Sequence, residues 1–252
     1  MKPCLILLLA LAGASFAAGQ PRVRIVLVGD STVTDDAGWG AGFRELVDPS
    51  RADVVNLARG GRSSMSYLNE GLWAKALALK ADYYLIQFGH NDEPGKPGRS
   101  TTLDEYRGFM TRYVEEARAA GAKPVLITSL VRRQFVPGDD HRINSSLEPR
   151  VAIVKAIAAE EQVPLVDLHA RSKALCERLG RTACYEFSPT KIVNGKEAYD
   201  GTHLNERGHL LFAQLVVDEL RRAVPALDSI FVLAPRAPTT GPAPVEVGRP
   251  RE

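Results

Sequence analysis

Cysteine is scarce in this chain: there are three, at positions 4, 176 and 184, and none form a Cys-x-x-Cys pair. That excludes the cysteine-dense scaffolds that staple small folds, and the paired-cysteine zinc motifs with them. No His-Glu-x-x-His is present either. His203 and His209 stand six positions apart across an expected helix start and point in poorly matched directions, so no metal site is expected. A surplus of one charge is also lacking, since 32 Lys and Arg meet 30 Asp and Glu for a formal net charge of +2. A nucleic-acid partner, which needs clustered basic residues, is therefore not expected. Gly-x-Ser-x-Gly is absent, which removes the nucleophile-elbow hydrolases. GGRSS at 60–64 lacks the lysine and the spacing of a phosphate loop. Beyond the N-terminus no apolar run approaches the roughly 20 residues of a membrane span.

The N-terminus has what the rest lacks. Lys2 precedes the apolar run CLILLLALAG, and small residues follow in ASFAAGQ. That order is the one expected of a secretory signal, read as residues 1–19 with cleavage after Ala17 or Gly19. Export, to the periplasm or the medium, is the resulting expectation. Removing the signal takes Cys4 with it and leaves Cys176 and Cys184, eight positions apart. In an exported protein that spacing makes a local Cys176–Cys184 disulfide the expectation, against two buried thiols that never meet. At the other end PRAPTTGPAPVEVGRPRE is rich in proline and poor in large apolar residues, so 234–252 is expected to be a disordered tail. Residues 20–233 remain as one domain, within a chain of ordinary globular composition, 45% hydrophobic and 25% charged.

Within that domain, near-continuous apolar runs alternate with helical periodicity. VRIVLVGD (23–30), ADVVNLA (52–58), ADYYLIQFG (81–89), KPVLITSL (123–130) and VPLVDLH (163–169) read as strands covered on both faces. TTLDEYRGFMTRYVEEARAAGA reads as a helix. Thr102 and Glu105 stand at capping-box spacing, Gly121 ends the segment, and Leu103, Tyr106, Met110, Tyr113, Val114 and Ala117 form one apolar face. PRVAIVKAIAAEEQ begins with Pro149 near a first turn, and a last helix spans about 205–223 from Asn205. The alternation predicts the α/β class: a single three-layer α/β/α domain with a five-stranded, mainly parallel sheet. The segments 131–148 and 181–204 read as long loops of the kind that carry function.

In such a sheet the site lies outside the carboxyl ends of the strands. GDSTV with Ser31 follows the first strand, NLARGGRSS with Gly60 and Gly61 the second, and FGHND with Asn91 the third. YDGTHLNERG places Asp200 and His203 three positions apart before the last helix. A serine hydroxyl is a weak nucleophile until a base takes its proton, histidine is the usual base near neutral pH, and a carboxylate holds the imidazole in the required tautomer. Backbone N–H groups at Ser31 and Gly61 with the Asn91 amide would supply an oxyanion hole. Each piece alone also fits a turn or a cap; four strand-end loops delivering all of them is harder to read that way.

These stretches together resemble the SGNH, or GDSL-type, hydrolases, and their wording is similar to the rhamnogalacturonan acetylesterase-like branch. GDSTV, GWG at 38–40, NLARGGRSS, QFGHND and GAKPVLITS carry the likeness, which covers about residues 23–222. It implies a flavodoxin-like fold with Ser31 as nucleophile, Asp200 and His203 as its partners, and Ser31 N–H, Gly61 and Asn91 as the oxyanion hole. The choice of Gly61 over Gly60 rests on its place before Arg62-Ser63. Arg62, Trp39 and His90 are carried as candidate substrate contacts, although the residues themselves favour a buried indole for Trp39 and a packing or supporting imidazole for His90. Arg62, Arg132, Arg133 and Arg142 are either attractors of uronic-acid carboxylates or a solvated loop surface. The implied activity is removal of acetyl groups from an acetylated plant cell-wall polysaccharide or oligosaccharide, with no cofactor and no membrane or nucleic-acid partner, by a monomer. A thioesterase or lysophospholipase acting on longer acyl chains, and a non-catalytic glycan-binding protein, stand as alternatives.

Overall fold

A computed structural model of the chain describes residues 22–232; the signal-like segment 1–19 and the Pro-rich tail 234–252 lie outside the described residues. Five strands form the central sheet: β1 Val23–Gly29, β2 Ala52–Asn56, β3 Tyr83–Gln87, β4 Lys123–Ile127 and β5 Leu165–Val166. They run in the order β2-β1-β3-β4-β5, and every pairing is parallel. The strand order reverses at the β1/β3 boundary, the point where this topology opens a crevice beyond the strand ends.

The apolar runs form strands because both of their faces are covered. Ile25 and Leu27 pack on one side against Phe43, Leu168, Phe212 and Val216. Val26 and Val28 pack on the other against Tyr67, Trp73, Met110 and Val154. The first layer contains α1 (Gly40–Glu45), α6 (Leu168–Leu179), α7 (Arg181–Tyr185) and α8 (Glu206–Ala223). The second contains α2 (Ser64–Asn69), α3 (Leu72–Leu77), α4 (Leu103–Ala119) and α5 (Glu148–Glu160). Each fully buried aliphatic side chain contributes about 1.5–3 kcal/mol to this arrangement.

The α4 capping box forms as read, with the Glu105 N–H donating to Thr102 Oγ1 at 3.2 Å and the Thr102 N–H to Glu105 Oε2 at 2.8 Å. Leu103 departs from the expected apolar face: at the first helical position it is 43% exposed, and the buried stripe starts a turn later at Tyr106. The fifth strand is only two residues long, because Asp167 caps α6 and Leu168 and His169 already belong to that helix. The segment 181–204 is not all loop. It holds α7 and a two-stranded antiparallel hairpin, β6 (Thr190–Val193) and β7 (Lys196–Tyr199), turning through Asn194 and Gly195 at φ 52° and 73°. Asn-Gly with both residues left-handed is the tight hairpin signal, and it was present in the sequence. The segment 131–148 is irregular apart from a bridge between Phe135 and Ile143 and the first residue of α5.

Candidate active site

Ser31 stands two residues beyond β1, on a turn fixed from below. The Asp30 carboxylate is fully buried, and its Oδ1 accepts from the Thr32 N–H at 2.9 Å and the Thr32 hydroxyl at 2.7 Å. Thr32 Oγ1 in turn accepts from Gln87 Nε2 at 2.6 Å, and Gln87 Oε1 from Trp39 Nε1 at 3.0 Å. A polar chain of four side chains thus underlies the turn that carries Ser31. Gly29 ends the strand because a Cβ there would meet Val33 Cγ2 at 2.5 Å and the Gln87 carbonyl at 2.6 Å.

The structure brings Ser31, His203 and Asp200 into one line. Ser31 Oγ lies 2.9 Å from His203 Nε2, and His203 Nδ1 lies 3.0 Å from Asp200 Oδ2. Asp200 Oδ1 accepts from the N–H groups of Thr202 at 2.8 Å and His203 at 3.1 Å, so the Asp-x-x-His spacing folds into a turn capped by its own carboxylate. Burial works against the Asp200 charge. The hydrogen bond from His203, the two backbone donors and the imidazole charge outweigh it and hold the carboxyl well below the usual range. An ionised Asp200 only accepts, so Nδ1 carries the imidazole proton and Nε2 is the acceptor for the Ser31 hydroxyl. That is the arrangement general-base activation of a serine requires.

The Gly60–Gly61 turn lies beside Ser31: a Cβ on Gly60 would come 3.7 Å from Ser31 Cβ. Gly61 has φ +78°, a conformation that favours glycine. Asn91 is tied to the same turn, its Nδ2 donating to the Arg62 carbonyl at 3.0 Å. Arg99 Nη1 sits between them, 3.3 Å from the Gly61 carbonyl and 3.5 Å from Asn91 Oδ1. Among the described residues the N–H groups of Ser31 and Gly61 have no protein acceptor. Ser31 opens onto a cavity of about 390 Å³ whose polar lining includes Thr34, Asp35, Asp36, Asn56 and Arg59.

The outer candidates fare differently. Trp39 is not a substrate contact: it is fully buried, bonded to Gln87 and edge-on to Phe43 at 5.8 Å, because its ring fills the α1 side of the core. Trp73 is a core residue too, at 2% exposure. His90 is 3% exposed and faces Asp30 rather than solvent, since the β3 loop folds it inward. Arg62 remains at the rim, but its side chain is engaged with Glu70 at 3.0 Å and the Gly60 carbonyl at 2.9 Å. The four loop arginines do not form one patch. Arg132 pairs with Glu93 at 2.5 Å, Arg142 is exposed beside Asp139 at 3.5 Å, and Arg133 is buried. The expected Cys176–Cys184 bridge is not formed. Both thiols are buried and free, with Cys184 Sγ aimed at the Cys176 carbonyl oxygen, 3.6 Å away, eight residues back across the α6–α7 junction. Sequence reasoning assigned no role to Thr32, Gln87 or Arg99; Gln87 carries the clearest trace, as a glutamine closing an otherwise apolar strand.

With the geometry in place, the relationships of the chain can be stated. The GDSL-like Lipase/Acylhydrolase family matches residues 12–211, and the chain belongs to that family of carboxylic ester hydrolases. It is 36% identical to rhamnogalacturonan acetylesterase RhgT of Bacillus subtilis over 211 residues, which cover 78% of this chain and 88% of that one. It is 30% identical to the rhamnogalacturonan acetylesterase of Emericella nidulans over 241 residues, 86% of this chain and 90% of that one. Among solved structures, YxiM of Bacillus subtilis superposes with a TM-score of 0.68 at 27% identity, over 80% of this chain and 57% of that longer one. Axe2, an acetylxylan esterase of Geobacillus stearothermophilus, shares the fold with a TM-score of 0.61 at 21% identity, over 79% of this chain and 94% of that one.

Proposed function

We propose that the protein is an exported acetylesterase that removes O-acetyl groups from a plant cell-wall polysaccharide of the rhamnogalacturonan type, with Ser31 as nucleophile. The observation that carries the reading is the 2.9 Å and 3.0 Å contacts that line up Ser31, His203 and Asp200. The names of the relatives supply the substrate class. In the first step Ser31 Oγ attacks the acetyl carbonyl carbon while His203 Nε2 takes the hydroxyl proton. The oxyanion that develops is met by the Ser31 and Gly61 N–H groups and by the Asn91 amide. Collapse breaks the bond to the sugar oxygen, which receives the proton back from His203. A water then attacks the acetyl-serine with His203 again as base, releasing acetate and restoring the Ser31 hydroxyl.

The polar lining of the cavity at Ser31 suits a sugar-borne acetyl group better than a long acyl chain. The test is acetate release from acetylated rhamnogalacturonan and acetylated xylan side by side, with Ser31→Ala as blank. Release from the pectic polymer that vanishes in the variant is the expected result. Faster release from xylan would move the substrate class, and no release from either would overturn the acetylesterase reading. Export rests on the signal-like order of residues 1–19, and N-terminal sequencing of the protein recovered outside the cytoplasm is expected to begin at Ala18 or Gln20.

A further inference from the structure

A cation is buried under the turn that carries Asp200 and His203. Arg133 follows β4 on the irregular segment, and 5% of it reaches solvent. Among the described residues it makes no ion pair. What it does instead is bind the turn's main chain. Nη2 donates to the carbonyl oxygens of both Asp200, at 3.1 Å, and His203. The Arg133 N–H donates to the carbonyl of Gly201 at 2.7 Å. Nε donates to Ser188 Oγ at 2.9 Å, and the Phe212 ring lies 5.9 Å from the guanidinium carbon. Among the described residues the buried Nη1 has no hydrogen-bond partner.

Three carbonyls of one turn, 200, 201 and 203, therefore accept from a single residue on another loop. The turn's N–H groups cannot do this work. Those of Thr202 and His203 go to the Asp200 side chain, inside the turn, and leave its position on the protein unfixed. The outward ties of the N–H side are Asp200 to the Pro189 carbonyl at 2.8 Å and Leu204 to the Ala37 carbonyl at 2.9 Å, at the two ends. Burying a cation without a carboxylate is costly, and an apolar chain of equal length would fill the space without leaving Nη1 unmatched. The two hydrogens of one planar nitrogen, by contrast, fix the separation of two carbonyls in a way no apolar side chain can.

We infer that Arg133 is a positioning residue, which sets the height and orientation of the Asp200–His203 turn against Ser31. The inference rests on the reading that His203 is the base for Ser31. A displacement of about 1 Å at such a contact costs on the order of 10²-fold in rate with little effect on binding.

The experiment compares wild type, Arg133→Met and Arg133→Lys in 4-nitrophenyl acetate hydrolysis, each rate divided by the Ser31 sites titrated to completion with diisopropyl fluorophosphate. Circular dichroism and Tm are measured on the same samples. In Arg133→Met, kcat per site is expected to fall about 10²-fold with KM within about twofold. Arg133→Lys is expected to recover part of the loss, because an ammonium reaches one carbonyl where the guanidinium spans two. The second-order rate of phosphorylation of Ser31 should fall in the same ratio as kcat. A brace that serves only the fold would lower Tm and leave kcat per titrated site at the wild-type value, and that result overturns the inference. Should the methionine variant fail to fold, the lysine variant decides: a wild-type kcat per site in it is equally fatal. An inactive, unlabelled wild-type protein sinks the serine-esterase reading itself, a different outcome from an active wild type with equally active variants.

Discussion

Asp30 Oδ2 and His90 Nδ1 face each other across 3.4 Å in the floor beneath Ser31, and neither residue is more than 3% exposed. Burial pushes the Asp30 carboxyl up, but the His90 contact and the two Thr32 hydrogen bonds prevail and hold it below its ordinary value. A carboxylate is thus kept charged inside the protein, one residue from the nucleophile position. Its charge reaches a second buried acid, Asp92, which caps α2 by accepting from the Ser64 N–H at 3.1 Å and from the Ser64 hydroxyl.

Asp92 gives the first prediction. Burial, opposed by the Ser64 hydrogen bonds, and then the negative charge of Asp30, set against Arg150, push its carboxyl from 3.8 to about 6. Between those values the folded protein holds a proton that the unfolded chain has lost, so stability falls as pH rises, by about 3 kcal/mol in total. Asp30 has the opposite sign and a lower window: its contribution is complete above pH 3.8 and is lost only on further acidification. Thermal melts from pH 4 to 7 should therefore show the wild type losing ground against Asp92→Asn, by about 6–12 °C over the interval. Parallel curves would show that Asp92 titrates at an ordinary carboxylate value.

The five strands and the four loops that carry the site residues were legible because their signals are local and strong. The apolar runs VRIVLVGD and ADYYLIQFG mark strands covered on both faces, and Thr102 with Glu105 caps α4 from three residues away. The contacts that decide the outer shell are long-range and leave no local mark. For Trp39 and His90 the sequence favoured burial over a substrate contact, and packing against Phe43, Gln87 and Asp30 is what decides it. Arg133 read as a carboxylate attractor or a solvated loop arginine because no sequence pattern announces a cation that binds main-chain carbonyls 67 and 70 residues away. The β6–β7 hairpin is different: its Asn194-Gly195 signal was local, but it lay inside the segment 181–204 that read as one long loop.

Asp200→Asn tests the tautomer. An asparagine amide turned toward His203 donates where the carboxylate accepts, so Nδ1 gives up its proton and Nε2 gains one. The Ser31 hydroxyl then faces a donor. The fold is expected to survive, since the Asn carbonyl oxygen can still cap the Thr202 and His203 N–H groups. Relative to wild type, kcat on 4-nitrophenyl acetate should drop by about 10⁴-fold with KM little changed. A loss below tenfold would remove Asp200 from the proton relay.

Asn91→Ala tests the oxyanion side. The amide keeps one hydrogen free after donating to Arg62, and Arg99 holds its oxygen end. Removing such a donor costs about 10²–10³-fold in kcat while KM stays near its wild-type value. Arg62 loses only an acceptor role of its main chain, so the Tm should move by no more than a few degrees. An equal rise in KM at unchanged kcat would instead make Asn91 a substrate-binding residue.

Thiol counting decides the fate of Cys176 and Cys184 and of the signal-like segment together. The Cys184 contact and burial push the Cys176 thiol well above its usual range, and neither sulfur is exposed. The same contact holds the Cys184 thiol below its ordinary value, so it is the complete burial of both sulfurs that is expected to keep the native protein from reacting with 5,5′-dithiobis(2-nitrobenzoate). With residues 1–19 removed on export as proposed, the protein unfolded in denaturant without reductant should titrate two thiols per chain, because the sequence holds three cysteines and Cys4 would leave with that segment. Three thiols would mean that Cys4 is retained. A count of none, rising to two after reduction, would mean that export oxidises the pair; bridging then requires Cys184 Sγ to turn from the Cys176 carbonyl toward its sulfur, a rotation beside the loop that Arg133 and Ser188 brace.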